Sequence, residues 1–167
     1  MATKQNNVLV WHYTTGFRAE KIFFCGFIHG ATENVPKNEH PVVWFSMNQR
    51  FEPTAVKAKR VDGVITSMTL PEMIQHCQGL TRFGIIPRAL LNGENLRKRA
   101  CITNDEWVRL KKIGIKMHAD PHDWYGSTES IDVSLCVFEV MNEFGRWERI
   151  KPAHWLHREE MARETVN

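Results

Sequence analysis

The segment that most constrains the fold of this chain is Val8 to Thr14, VLVWHYT, an apolar, β-rich run closed by Thr-Thr-Gly. A run of this kind, bounded by turn residues, forms a strand. Strand alternation places His12 and Thr14 on one face and Trp11 and Tyr13 on the other. Directly after it, Phe17, Ile22, Phe23 and Cys25 are set among Arg18, Glu20 and Lys21. That is the pattern of a short amphipathic helix, which Gly26 ends as the C′ residue. Phe27-Ile28 begins a second strand.

Further along, Thr32 to Pro41 (TENVPKNEHP) is polar, carries two prolines and reads as a loop. Its length is typical of segments that cover ligands. Val42 to Ser46 (VVWFS) is β-branched and aromatic throughout, a strand. A turn-rich stretch, Met47 to Thr54, leads into a basic segment, and Val64–Leu70 reads as another strand. Pro71 opens a helix to Cys77, with proline where its missing N–H costs nothing, and Gly79 closes it. Leu80–Ile86 is a strand. Asn104-Asp105-Glu106 caps a helix through Lys112, with acidic groups at the positive end of its dipole. Ile131–Val140 and Arg146–Ile150 form a hairpin around Asn142–Gly145, and the tail from Glu159 is polar and frayed.

Strands outnumber helices and do not alternate with them, which disfavours a doubly wound parallel sheet. The expected fold class is α+β, with a mixed or antiparallel sheet and short helices. Neither a repeat nor a linker interrupts the chain, so residues 1–167 are expected to form one domain. A hydrophobic fraction of 43% and a charged fraction of 25% are those of a globular protein. No apolar run approaches the roughly 20 residues of a membrane-spanning helix. The start, MATKQNN, lacks the layout of a signal peptide, so a cytoplasmic protein with no membrane partner is expected.

Cys25, Cys77, Cys101 and Cys136 contain no CxxC pair, and free thiols are expected in a reducing compartment. A net charge of +3 is too small by itself to argue nucleic-acid binding. The clusters Lys57–Arg60, Arg97–Arg99 and Lys111-Lys112 read first as solvated faces. Six tryptophans and nine phenylalanines are chiefly core, leaving one or two rings to line a pocket for a flat ligand.

Three constellations carry possible chemistry. A histidine beside a hydroxyl, His12 with Thr14 near Val42–Ser46, offers the donor and acceptor that hold vicinal sugar hydroxyls. The ordinary role of such a histidine is a hydrogen-bonded place in the core. Glu129, within Trp124–Ser130, is a carboxylate flanked by hydroxyls that can steady positive charge developing on a sugar, or simply cap a turn. His118 and His122 lie four apart, but Asp120-Pro121 breaks the helix that would align them, so no metal site is expected. There is no GxSxG, Gly-rich phosphate loop or GxGxxG, which excludes a Rossmann site but leaves NAD open to another architecture.

The stretch LVWHYTTGFRAEKIFFCGFI resembles the opening of ADP-ribosyltransferase-fold proteins, most of all the DNA-targeting (DarT-type) toxins and small phage and bacterial relatives. PVVWFSMN is similar to the aromatic strand that follows the loop in that family, and LTRFGI and Trp124–Glu129 also resemble its segments. The resemblance touches about half the chain. It implies a split sheet that grips NAD between its halves, and a transferase acting on DNA, RNA or a protein. His12 would hold ribose hydroxyls, Thr14 would add a hydroxyl contact, and Tyr13 or Trp44 would stack on nicotinamide. Glu129 would be the catalytic glutamate, bonding the ribose 2′-hydroxyl and stabilising the oxocarbenium ion. Ser46 and Arg82 would support, Arg82 on a pyrophosphate oxygen. The chain departs from the family in having no Glu-x-Glu pair and no arginine just after the first strand unless Arg18 serves. The alternative is a non-catalytic module on the same fold, an anti-defence or antitoxin-like protein that captures a nucleotide, nucleic acid or protein.

Overall fold

The computed structural model describes residues 8–164; the polar start 1–7 and residues 165–167 lie outside the described residues. The chain folds as α+β, with a seven-stranded sheet in which every neighbouring pair is antiparallel. The opening run becomes β1 (Val10–Thr15), followed at once by α1 (Gly16–Cys25) and β2 (Phe27–Ile28). Gly26 has φ 79° and donates its N–H to the Ile22 carbonyl at 2.8 Å, so the helix stops where the sequence indicates. Then come β3 (Val43–Ser46), β4 (Ala58–Val61), β5 (Val64–Ser67), α2 (Leu70–His76) and β6 (Leu80–Ile85). The basic run Lys57–Arg60 thus enters a hairpin, β4–β5, turning at Asp62-Gly63.

The strand expected over Val64–Leu70 ends at Ser67 instead. Thr69 and Glu72 form a reciprocal capping box there, which starts α2 at Leu70. The second half of the chain supplies β7 (Leu91–Asn92), α3 (Gly93–Arg99), α4 (Asn104–Lys116) and β8 (Trp124–Ser127). After them come β9 (Ile131–Asp132), β10 (Val137–Met141), β11 (Trp147–Arg149) and α5 (Pro152–Glu164). The expected strand Ile131–Val140 is divided: β9 pairs with β2, and only β10 forms the hairpin with β11. The tail expected to fray is helical as far as Glu164. Trp155 anchors α5 in the core at 3% exposure, Gln78 Nε2 donates to Glu159 at 2.7 Å, and Arg163 pairs with Glu20.

The large sheet runs β11-β10-β6-β1-β3-β8-β7. One of its faces carries Val10, Phe83 and Phe138 under Ala19 and Phe23 of α1 and Trp155 of α5. Phe23 meets Phe138 edge-on, with centroids 4.8 Å apart. Val42, Leu96, Ala100, Ile102 and Trp107 form a second core beneath α3 and α4, and Met68, Met73, Leu80 and Met141 a third around α2. Burial of each valine, leucine, isoleucine, phenylalanine or methionine among them stabilises the fold by about 1.5–3 kcal/mol.

Candidate functional site: a parted sheet around His12

The seams on either side of β1 differ. Toward β6 the ladder is continuous from Val10↔Ile85 to Thr15↔Leu80, whereas toward β3 the only register pair is Trp11↔Ser46. Beyond that pair a side chain replaces the ladder: His12 Nδ1 lies 2.9 Å from the Trp44 carbonyl oxygen. A carbonyl only accepts, so Nδ1 carries the proton and Nε2 is left as an acceptor. Burial pushes the imidazole down to about 4, opposed by the Trp44 bond and reinforced by the charge of Lys57. Near neutral pH the ring is therefore uncharged.

Two clefts, of about 400 and about 390 Å³, open along this parting and share His12, Tyr13, Trp44 and Lys57 as a common wall. Each has the size of an ordinary small-molecule site. The first is aromatic. Trp44, at 37% exposure, presents its ring there beside Trp124, with centroids 6.2 Å apart at 73°. Helix α4 approaches closely enough to form a wall because Gly114 lies against Trp124, where a Cβ would sit 2.5 Å from the indole.

One carboxylate lines this aromatic cleft, and it is Glu52, at 6% exposure. Ser46 Oγ donates to it at 2.7 Å, Thr54 Oγ1 at 2.7 Å, the Thr54 N–H at 3.3 Å and Trp124 Nε1 at 3.3 Å. The second cleft is basic. It is lined by Thr14, by Arg18 and Lys21 of α1, by Lys57, and by Thr32 and Glu33 of the long loop. Among the described residues no ion pair engages Arg18, Lys21 or Lys57. Burial and then the charge of Arg18 lower the Lys57 ammonium, as expected of two cations held together without an anion.

His12, Tyr13, Thr14, Trp44 and Ser46 therefore come together at the clefts, whereas two expected site residues do not. Arg82 lines neither cleft. Its side chain lies behind the wall, on the sheet face that Trp11 and Tyr13 share, at 6% exposure, paired with Glu139 at 2.5 Å and donating to the Gln49 carbonyl at 2.6 Å and to Tyr13 Oη at 3.3 Å. Its guanidinium stacks 3.8 Å from the Trp11 ring and 4.3 Å from that of Trp147. Partners within the fold take up its donors, a structural place where the sequence reading expected a pyrophosphate contact.

Glu129 also lines neither cleft. Its side chain is 79% exposed and faces Arg99 at 3.5 Å. Its neighbour Ser130 does reach the rim, bonded to His29 of the basic cleft at 2.6 Å. Tyr13 is less free than expected, since its hydroxyl donates to the Asn48 carbonyl and burial pushes its pKa up to about 12. Trp44 is the more exposed of the two rings.

Glu52 is the site residue that sequence reasoning missed. It sits in a turn-rich stretch six residues after Ser46, with only the following Pro-Thr to mark it, which reads as a turn. Among the described residues no group of three or more His, Cys, Asp or Glu side chains is placed to hold a metal ion, and no helix is long and apolar enough to cross a membrane. The four cysteines are free thiols. Compared with known proteins, the chain matches no family model, no curated protein and no solved structure.

Proposed function

We propose that the protein is an ADP-ribosyltransferase-like enzyme that binds NAD across the parting between β1 and β3 and modifies a nucleic acid or a protein. The observation that carries this reading is the polarity of the parting: an aromatic cleft with one carboxylate on one side of His12, a basic cleft with unpaired cations on the other. NAD has the same layout, a flat nicotinamide at one end and a pyrophosphate beyond the ribose. In this reading Trp44 stacks on nicotinamide, His12 Nε2 accepts a ribose hydroxyl, Thr14 adds a hydroxyl contact, and Arg18 and Lys57 take the pyrophosphate. Glu52 takes the place that the resemblance gave to Glu129, since a carboxylate in a dry wall favours positive charge developing on the sugar as the nicotinamide bond breaks. The loop Thr32–Pro41 supplies Thr32 and Glu33 to the basic side, where an acceptor would approach.

A second reading, a binding module that captures the nucleotide without turnover, is favoured by one observation: all four donors around Glu52 come from the protein itself. Incubation with NAD separates the two. Release of free nicotinamide, with label appearing on DNA, RNA or protein, supports the enzyme. Its loss in Glu52→Gln but not in Glu129→Ala supports the placement of the carboxylate. Thermal protection by NAD without nicotinamide release supports the module. No binding of NAD or ADP-ribose refutes both.

A further inference from the structure

Glu52 sits in the wall of the aromatic cleft. The carboxylate is buried, it lines a cleft walled by indoles, and among the described residues no cation pairs with it. Neutral donors orient a carboxylate and satisfy its lone pairs, but they do not cancel its charge. That charge is felt nearby. After burial and Asp120, it helps raise the Asp123 carboxyl, and it is among the smaller contributions to the raised Tyr13 hydroxyl. The one cation lining the same cleft, Lys57, belongs with Arg18 in its electrostatics, and Glu52 is not among the causes of its shift. The parting is thus negative at the Glu52 end and positive at the Arg18 end. Indole faces attract cations in their own right, and the open ring in the aromatic cleft is that of Trp44.

We infer that the aromatic cleft selects a flat organic cation, an N-alkylated pyridinium, over its neutral counterpart, and that Glu52 is the residue that reads the charge. For the identity of the ring this rests on the proposed use of NAD; for the sign of the charge it rests on the cleft alone. Within that function the selectivity sorts oxidised NAD, whose ring is cationic, from reduced NAD, whose ring is neutral. A ring of the same shape without the charge gains the stacking but not the attraction to Glu52.

The test uses two small probes of nearly equal shape, 1-methylnicotinamide, a cation, and nicotinamide, which is neutral. Each is titrated against the full chain by tryptophan fluorescence. Wild type is expected to bind the cation at least about 10-fold more tightly, which corresponds to about 1.4 kcal/mol. In Glu52→Gln, checked for native circular dichroism, the preference is expected to fall to within about threefold. In Trp44→Leu both probes are expected to bind more weakly while the preference survives. Equal affinities in wild type, no binding of either probe, or a preference that persists in Glu52→Gln overturns the inference. If Glu52→Gln does not fold, the wild-type ratio decides. Parallel titration with ADP-ribose and NAD keeps the two proposals apart. Binding of both without a pyridinium preference leaves the function standing and sinks the charge selection. A pyridinium preference without binding of either does the reverse.

Discussion

Arg82→Ala is the perturbation for which the structure sets the clearest magnitude. The guanidinium and the Glu139 carboxylate are an ion pair at 2.5 Å whose side chains are only 7% and 13% exposed. Removing the arginine leaves Glu139 buried without its cation, strips the Gln49 carbonyl of its donor, and opens a slot between Trp11 and Trp147. Breaking a buried pair in this way costs about 3–5 kcal/mol. In a chain of this size that lowers Tm by roughly 6 to 20 °C. Urea unfolding followed by tryptophan fluorescence measures the loss. The double variant Arg82→Met/Glu139→Leu is expected to recover much of it, because it leaves no orphaned charge. A loss below about 1 kcal/mol, or a double variant as unstable as the single one, would refute the assignment of Arg82 as the clamp of this face. NAD affinity in the double variant is expected to stay near wild type, which a direct pyrophosphate contact would not permit.

Acid should also act through His12. Its pKa is lowered to about 4 from 6.5, so between those values the unfolded chain binds the proton first. Stability contributed by the neutral ring is whole above pH 6.5 and declines as pH falls toward 4, by at most about 3 kcal/mol and less to the extent that the ring edge meets solvent. His12→Asn, which keeps a donor for the Trp44 carbonyl, is expected to flatten that slope in urea melts taken across this pH range; an unchanged slope would exclude His12 as its source. Gly114→Ala is expected to destabilise by about 1–3 kcal/mol, since its Cβ would meet the Trp124 indole at 2.5 Å. A neutral result in thermal melts would mean that α4 shifts freely from the sheet.

What could be read from the sequence follows the strength of local signals. The runs that became β1, α1, β3 and β6 concentrate apolar or β-branched residues between glycines and turn residues, and the structure keeps them within a residue or two. By contrast, α3 buries only Leu96, and α5 only Trp155, so neither shows an apolar face to read. Strand β8 carries a glycine, Gly126, that lets Val42 and Leu96 pack against the backbone, a tertiary reason that no local pattern discloses. The same distinction runs through the site. His12, Trp44 and Ser46 stand on strong strands, where alternation already gives their faces. Glu52 is bonded by Trp124, far along the chain, and Glu139 and Trp147, the partners of Arg82, come from the last hairpin, so neither environment shows in the local sequence.

The seam between β1 and β3 has a mechanical consequence. Between the two strands it is closed by the Trp11↔Ser46 pair and by one imidazole bonded to a carbonyl, and just past β3 by the bonds of Trp11 to Gln49 and of Tyr13 to the Asn48 carbonyl, contacts worth about 0.5–1.5 kcal/mol each. The ladder from β1 to β6 and that from β3 to β8 are continuous on either side. The sheet is therefore laddered more densely along both flanks than at its middle. In the proposed function, a ligand entering between the strands meets the same histidine that bridges them, while the ladders on both flanks keep their register.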